Sequence, residues 1–208
     1  MNEVRGLPVA DDELLTPLRS VQTYLRQRRP GGSVLLFGQP SVHEWLERAG
    51  MRIVEGEQAA SADVVFVAHA DAVDFPVLEQ AARAVLGGAK LLTASYAPAY
   101  AGANGPILSR GAMLAAAISK ASSTRPIVVG KPSRAALRTV TERLGVAPRE
   151  LVVIGDDLGM DVALGRLGGA RTILVRSGIS SHVELEKVAE KHRPDAVVDG
   201  VAELLTWL

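Results

Sequence analysis

The most informative stretch of the sequence is an acidic loop that follows a short apolar run. Residues 151–154 are apolar and predict a buried strand, which Gly155 ends. The carboxylates of Asp156, Asp157 and Asp161 come next. In an open parallel sheet, ligands bind at the carboxyl ends of the strands. Carboxylates crowded at such a place repel one another unless a cation lies among them, and Mg²⁺ is a hard cation that prefers oxygen ligands. The pattern therefore predicts a magnesium site on this loop.

A lysine that could accompany the acidic loop follows an earlier apolar strand. Residues 127–129 predict this strand, and Gly130 connects it to Lys131. The ammonium group of lysine is a compact positive charge that suits a phosphate or a carboxylate. We expect Lys131 to lie at the same sheet edge as the acidic loop. Pro132 and Ser133 suit the start of the helix that follows.

The composition limits the class of protein. The chain has 208 residues, of which 48% are hydrophobic and 22% are charged, enough for one large domain or two small ones. A formal net charge of +0 argues against nucleic acid or an anionic membrane as the main partner. The lack of cysteine excludes disulfides, thiolate zinc sites and cysteine nucleophiles. No apolar run approaches the roughly 18 residues of a membrane span, so we expect a cytoplasmic location.

Apolar strands alternate with helical patterns along the whole chain, which predicts a parallel α/β arrangement. The predicted strands are residues 33–37, 63–68, 89–93, 127–129, 151–154, 172–175 and 196–198. The predicted helices are residues 14–28, 42–49, 77–86, 112–120, 134–144, 160–167, 183–192 and 201–208. Residues 96–109, rich in Gly, Pro, Ala and Tyr, predict a loop.

Two of these motifs resemble those of a known family. Gly130-Lys131-Pro132 and residues 155–161 are similar to the third and fourth motifs of the haloacid dehalogenase (HAD) superfamily of phosphohydrolases. Residues 171–179 fit the strand and turn that follow the acidic motif in subclass IIA, the branch with a large α/β cap. Residues 30–38 and 105–113 resemble the beginning and the end of that cap. The resemblance covers nearly the whole chain.

The resemblance implies an α/β fold with two parts. The first is a three-layer, parallel-sheet core of Rossmann type that is incomplete at its amino terminus, and the second is an α/β cap of the C2 type. Residues 1–30 would be a remnant of the first half of the core, and residues 31–125 would form the cap. Residues 126–208 would form the second half of the core.

The resemblance also implies roles for individual residues. In this family an aspartate nucleophile takes the phosphoryl group, a second aspartate two residues later acts as acid and base, and Mg²⁺ bridges the nucleophile and the phosphate. Matched by position, Lys131 would steady the nucleophile and the phosphoryl oxygens. Asp156 would bind Mg²⁺ directly, and Asp161 would bind it through water or orient its ligands. Asp157 is a weaker metal candidate, since many relatives carry another residue there. Arg110 is a candidate for contact with the substrate phosphate.

The nucleophile motif of the family, Asp-x-Asp-Gly after an apolar strand, is absent from this sequence. The nearest pattern has Asp71 and Asp74 spaced by three, with no glycine after them, where a cap strand belongs. The second family motif is also missing, and residues 5–17 resemble the segment that follows both motifs in relatives. We therefore expect that the chain lacks several dozen residues with the nucleophile and the central strand. Another chain, another subunit or a longer protein would supply them; the alternative is a rearranged sheet that closes over the gap.

Two functions remain open on this basis. The first is a Mg²⁺-dependent phosphatase that hydrolyses a small phosphorylated metabolite with a nucleophile from outside this sequence. The alternative is a non-catalytic protein on the same scaffold that binds metal or phosphate without turnover, which the missing motif favours. The expected partners are a small phosphorylated metabolite and either a second copy of the chain or a second chain with the missing strand. Nucleic acid and membranes are not expected partners.

Overall fold

The computed structural model describes residues 2–4, 7–10, 13–28, 31–100, 102 and 105–207. Its strands, numbered along the chain, are β1 (Asn2–Val4), β2 (Leu7–Val9), β3 (Ser33–Phe37), β4 (Arg52–Ile53), β5 (Val64–Val67), β6 (Lys90–Thr93), β7 (Ala99–Tyr100), β8 (Ile107–Leu108), β9 (Ile127–Val128), β10 (Val152–Gly155), β11 (Arg171–Val175) and β12 (Ala196–Val198). Its α-helices are α1 (Pro17–Arg28), α2 (Pro40–Arg48), α3 (Phe75–Leu86), α4 (Arg110–Ser122), α5 (Arg134–Leu144) and α6 (Ala163–Gly168). None of the helices in these ranges is both long and apolar enough to cross a membrane.

The larger sheet of the described part has five parallel strands in the order β4-β3-β5-β6-β9. Its centre is β5, whose four residues are fully buried. Alternate side chains of the central strands enter two different clusters: Val65 and Val67 pack with α3 and α4, and Val64 and Phe66 pack with α1 and α2. A sheet covered by helices on both faces needs apolar residues at every position, which explains the continuous apolar run of β5.

The smaller sheet contains the parallel strands β10, β11 and β12 in that order. One face packs against Leu137 of α5 and Leu164 of α6. Within the described residues β10 pairs only with β11, so its other side is an open edge. Val152 and Ile154 on this strand are 53% and 46% exposed. The α/β fold with parallel sheets and flanking helices confirms the predicted fold class.

The strand before Lys131 lies in a different sheet from the one that the sequence suggested. We expected Lys131, which follows residues 127–129, at the same sheet edge as the acidic loop, but β9 pairs with β6 at the edge of the five-stranded sheet. Gly130 allows this approach, because a Cβ there would overlap the carbonyl oxygen of Ala94. The division of the chain at residues 30 and 125 stays a prediction.

Two predicted helices near the end of the chain are not α-helical. Residues 183–192 form two short 3₁₀ turns, Leu185–Lys187 and Glu190–His192, and a 3₁₀ helix covers Val201–Thr206. The predicted loop of residues 96–109 contains the short antiparallel hairpin β7–β8. These segments have few buried positions, so their conformation depends on local turns and on tertiary contacts.

In both sheets, an aspartate that precedes one strand accepts two hydrogen bonds from a residue near the start of the neighbouring strand. Oδ2 of Asp63 accepts hydrogen bonds from the backbone nitrogen of Ser33 at 2.7 Å and from its Oγ at 2.8 Å, which ties β5 to β3. Oδ2 of Asp195 accepts from the nitrogen of Thr172 at 2.7 Å and from its Oγ1 at 2.9 Å, which ties β12 to β11. Arg166 pairs with the other oxygen of Asp195 at 2.9 Å.

Replacing Asp195 with asparagine should lower stability at neutral pH and weaken its dependence on acid. Partial burial raises the pKa of Asp195, but the hydrogen bonds from Thr172 and the charge of Arg166 outweigh it and hold this pKa below its ordinary value. The stabilisation is therefore present above the unfolded pKa of about 4 and is lost as the pH falls through the folded pKa. Urea unfolding should show a difference between the two proteins at about pH 7 that shrinks towards about pH 3. A difference that does not change with pH would contradict this account.

Candidate active site

The acidic loop begins where β10 ends and continues into a π-helical turn, Leu158–Val162. Oδ1 of Asp157 accepts hydrogen bonds from the backbone nitrogens of Gly159 at 2.8 Å and Met160 at 3.1 Å. Asp157 therefore caps the first turn of this helical segment, as aspartate commonly does at helix starts. The cap uses Oδ1 of Asp157. Asp157 as a metal ligand stays a prediction, and the geometry offers it a structural role.

Asp161 is a buried carboxylate, and each of its two oxygens has a hydrogen-bond partner. Its Oδ1 lies 2.6 Å from Nζ of Lys131, and its Oδ2 accepts a hydrogen bond from the backbone nitrogen of Asp157 at 3.2 Å. The Asp161 side chain is only 8% exposed. Gly155 makes room for it, because a Cβ on Gly155 would overlap Cβ, Cγ and Oδ2 of Asp161. Asp161 thus connects the acidic loop to the lysine.

Lys131 reaches the acidic loop from the other sheet. It follows β9 and precedes α5, whose start is fixed by Ser133: Oγ accepts from the nitrogen of Ala136 at 3.0 Å and donates to the carbonyl of Val129 at 3.0 Å. Half of the Lys131 side chain is exposed, so the ammonium group can pair with Asp161 and still meet a ligand from solvent. The structure thus brings Lys131 and Asp161 together, as the sequence suggested.

Asp156 is oriented by the loop after β11. Its Oδ2 accepts a hydrogen bond from the backbone nitrogen of Ile179 at 3.1 Å, and its carbonyl oxygen accepts one from the nitrogen of Ser180 at 3.1 Å. Oγ of Ser180 accepts in turn from the nitrogen of Leu158 at 2.9 Å. Sequence analysis did not predict a role for Ser180, because a single serine after a strand has many possible roles.

Asp156 is the carboxylate best placed to bind a metal ion. No hydrogen bond or ion pair reaches its Oδ1 within the described part of the chain, whereas both oxygens of Asp161 are engaged. Among the described residues, no three His, Asp or Glu side chains stand close enough together to hold a metal by themselves. Mg²⁺ commonly takes one or two protein carboxylates and completes its shell with water and substrate phosphate, so the donors present fit Mg²⁺.

A cleft of about 470 Å³ opens beside these residues, between the two sheets. Residues 96–99 form one wall. The other wall is formed by residues of the acidic loop and of the loop after β11, with Lys131 at the base: Lys131, Pro132, Asp157, Gly159, Met160, Ile179 and Ser180. The cleft is large enough for a small metabolite and has a cation at one end.

Arg110, the predicted substrate contact, does not line this cleft. Its NH1 lies 2.8 Å from Oδ1 of Asp71, beyond the end of β5. Nε2 of His69 lies 3.3 Å from the same oxygen, and Nε2 of Gln39 donates to Oδ2 at 3.4 Å. The hydrogen bonds from Gln39 and His69 lower the pKa of Asp71, so this carboxylate is ionised at neutral pH. The sequence analysis did not detect this group, whose members are scattered along the chain.

Comparison with known proteins agrees with the predicted fold and family. The family model described as HAD-hydrolase-like matches residues 128–204. The ribonucleotide monophosphatase NagD of Escherichia coli strain K12 is 30% identical over 96% of this chain and 75% of its own length. A dihydroxyacetone phosphatase of Corynebacterium glutamicum strain R is 26% identical over 96% of this chain and 70% of its own.

A solved structure with the same fold is also that of a phosphatase. The p-nitrophenyl phosphatase from Archaeoglobus fulgidus superimposes with a TM-score of 0.85 and 28% identity, covering 98% of this chain and 78% of its own. All three of these proteins are phosphatases by name, and two act on small phosphorylated metabolites. The chain therefore belongs to the haloacid dehalogenase superfamily, in the subclass IIA phosphatase family.

Proposed function

We propose that this chain carries the metal- and phosphate-binding half of a Mg²⁺-dependent phosphatase that acts on a small phosphorylated metabolite. One observation carries the proposal: Nζ of Lys131, which lines a cleft of about 470 Å³, lies 2.6 Å from Oδ1 of Asp161 in the loop that also contains Asp156. The names of the relatives support the substrate class, since they include a nucleotide and a triose phosphatase. The cytoplasm is the compartment that we propose.

Each residue of the site has a distinct task in this proposal. Asp156 contributes its Oδ1 to Mg²⁺, which when bound polarises the phosphoryl group. Asp161 holds the ammonium group of Lys131 in place. Lys131 directs its remaining N–H groups at the phosphoryl oxygens and neutralises part of their charge. Ile179 and Ser180 keep Asp156 in its orientation through backbone hydrogen bonds.

The attacking group has to come from elsewhere, because a metal and a lysine bind the phosphoryl group but do not replace a nucleophile. We propose that a strand with a carboxylate at its carboxyl end pairs with the open edge of β10. Val152 and Ile154 are exposed on this strand, and an unpaired edge is a template for strand addition. A parallel strand placed there would end beside Gly155 and Asp156. Its source would be another copy, a second chain or a longer form of this protein.

Hydrolysis of p-nitrophenyl phosphate tests the proposal. When the strand with the attacking carboxylate is supplied, turnover should require Mg²⁺ and should fall by roughly 100-fold or more in Asp156→Asn, which removes the charge of a metal ligand. Glu57→Gln is the matched control, since it neutralises an exposed carboxylate on the short helix Gly56–Ser61, outside the site. Mg²⁺-dependent turnover that survives in Asp156→Asn would contradict the role of Asp156.

The second candidate function is metal and phosphate binding without turnover on the same scaffold. The absence of Asp-x-Asp from the sequence favours it. In that case the folded wild type would not hydrolyse the substrate, and Mg²⁺ together with inorganic phosphate would still bind. That binding would be lost in Asp156→Asn and kept in Glu57→Gln, which separates this function from a site that binds nothing.

A further inference from the structure

The five-stranded sheet has a second place where α/β sheets bind ligands. After β3 the chain runs outward through α2 to β4, and it then returns past β3 to form β5 on the other side. This reversal makes a switch point between β3 and β5, and ligands of open α/β sheets bind in the crevice outside the carboxyl ends of such strands. Lys131 follows β9, two strands away from β5 and about 10 Å along the same sheet edge.

A crevice of about 470 Å³ is present at this switch point. Its walls come from the end of β3 and from the loop and helix start after β5. Most of the side chains that line it are apolar, including Leu36, Phe37, Val73 and Val77. Such walls suit the C–H faces of a small organic molecule.

Three polar side chains contact Asp71, which lies next in sequence to residues that line this crevice, and we term the four the Asp71 quartet: Gln39, His69, Asp71 and Arg110. They come from the ends of β3 and β5 and from the start of α4. Asp71 lies between Ala70 and Ala72, which both line the crevice. The quartet therefore places charged and polar groups directly beside apolar walls.

The quartet keeps unused hydrogen-bonding capacity of both kinds. Arg110 has five N–H donors, and among the described residues one of them donates a hydrogen bond to Asp71. In the described part of the chain, Oδ2 of Asp71 accepts only the long bond from Gln39. Asp71 and Arg110 are 65% and 56% exposed, so these groups are accessible to a ligand.

Contacts other than the quartet fix the start of α4. Oγ of Ser109 caps the helix by accepting from the nitrogen of Ala112 at 3.2 Å. Gly111 packs so closely on β5 that a Cβ there would overlap the carbonyl oxygen of Ala68. An exposed ion pair such as that of Asp71 with Arg110 adds little to stability, so the pair has little structural value.

We infer that the switch-point crevice binds a small polyhydroxylated ligand, with its hydroxyl groups on the Asp71 quartet and its C–H faces on the apolar walls. Each hydroxyl both donates and accepts, and the quartet offers an accepting carboxylate next to donating guanidinium, amide and imidazole groups. The ionised Asp71 beside Arg110 leaves little net charge for an anionic group, and its carboxylate repels one. The ligand is either a free polyol or the hydroxylated leaving group of the phosphorylated substrate.

Titration of the whole chain with D-sorbitol, D-sorbitol 6-phosphate and inorganic phosphate, followed by backbone amide NMR, tests the inference. Wild type should bind free sorbitol with shifts at residues 39 and 69–71, or bind sorbitol 6-phosphate about tenfold more tightly than phosphate. The first result identifies a free polyol and the second a leaving group. Asp71→Ala and Arg110→Met should each abolish this preference.

The matched control breaks another exposed ion pair of the same sheet layer. Glu79→Ala removes the partner of Arg83 on α3 and should leave polyol binding unchanged. Lys131→Met separates the inference from the proposed function, since it should weaken phosphate binding and leave sorbitol-induced shifts intact. The inference is overturned if wild type binds neither polyol in preference to phosphate, or if folded Asp71→Ala binds as wild type does.

Discussion

Replacing Lys131 with methionine should lower the free energy of unfolding by about 2 kcal/mol, a large effect for a residue whose side chain is half exposed. The change leaves Asp161, at 8% exposure, without its cation and with one backbone N–H as its remaining partner. Removing one member of a fully buried pair costs about 3–5 kcal/mol, and water around Lys131 reduces this value. Urea unfolding at neutral pH measures the difference.

The double variant Lys131→Met/Asp161→Asn should recover most of the lost stability, because the uncompensated charge is then gone. Arg83→Met is the matched control: it breaks an exposed ion pair with Glu79 and should change stability by less than about 1 kcal/mol. A loss in Lys131→Met no larger than in this control would show that the lysine does not compensate Asp161.

The buried strands could be predicted from the sequence because their physical requirement is local. A buried parallel strand has to be apolar over most of its length, and residues 64–67 and 173–175 satisfy this condition. Gly145 likewise ends α5 in the left-handed conformation with φ of 67°, as a glycine at that place suggests. The short turns of residues 183–192 lack such a requirement, so the helical pattern assigned to them was wrong.

The choice of sheet for residues 127–129 could not be predicted. An apolar run indicates that a strand is buried, but it does not indicate which strand lies beside it. The pairing of β9 with β6 depends on Gly130 and Ala94, whose close approach appears only in three dimensions. The acidic loop was more accessible to prediction, since Asp156, Asp157 and Asp161 are close in sequence.

The Asp71 quartet, in contrast, could not be predicted from the sequence. Gln39 and Arg110 are 71 positions apart, with His69 and Asp71 between them, and only Arg110 lies in a stretch that resembles a family motif. Topology brings them together, because the ends of β3 and β5 are neighbours in the sheet and α4 begins beside them. Sequence analysis treated Asp71 only as a poor match to a nucleophile, and Arg110 only as a phosphate contact.

Gly178→Ala should weaken Mg²⁺ binding by about 10- to 100-fold without removing any carboxylate, and it is the sharpest test of how Asp156 is held. A Cβ on Gly178 would overlap Cβ, Cγ and Oδ2 of Asp156. Either Asp156 turns away or the loop after β11 moves, and both movements break the hydrogen bond from the nitrogen of Ile179 to Oδ2. Loss of such a supporting contact typically weakens metal binding by about 10- to 100-fold.

Calorimetric titration with Mg²⁺ in the presence of inorganic phosphate measures this effect, and circular dichroism checks that the variant is folded. The overpacking should lower the free energy of unfolding by about 1–3 kcal/mol, so folded protein remains available. Gly159→Ala is the control in the acidic loop itself, where a Cβ would meet only Oδ1 of Asp157 at 3.4 Å, an ordinary contact. Equal Mg²⁺ affinity in both variants would mean that the turn at Gly178 does not orient Asp156, and that the metal, if it binds, uses other oxygens.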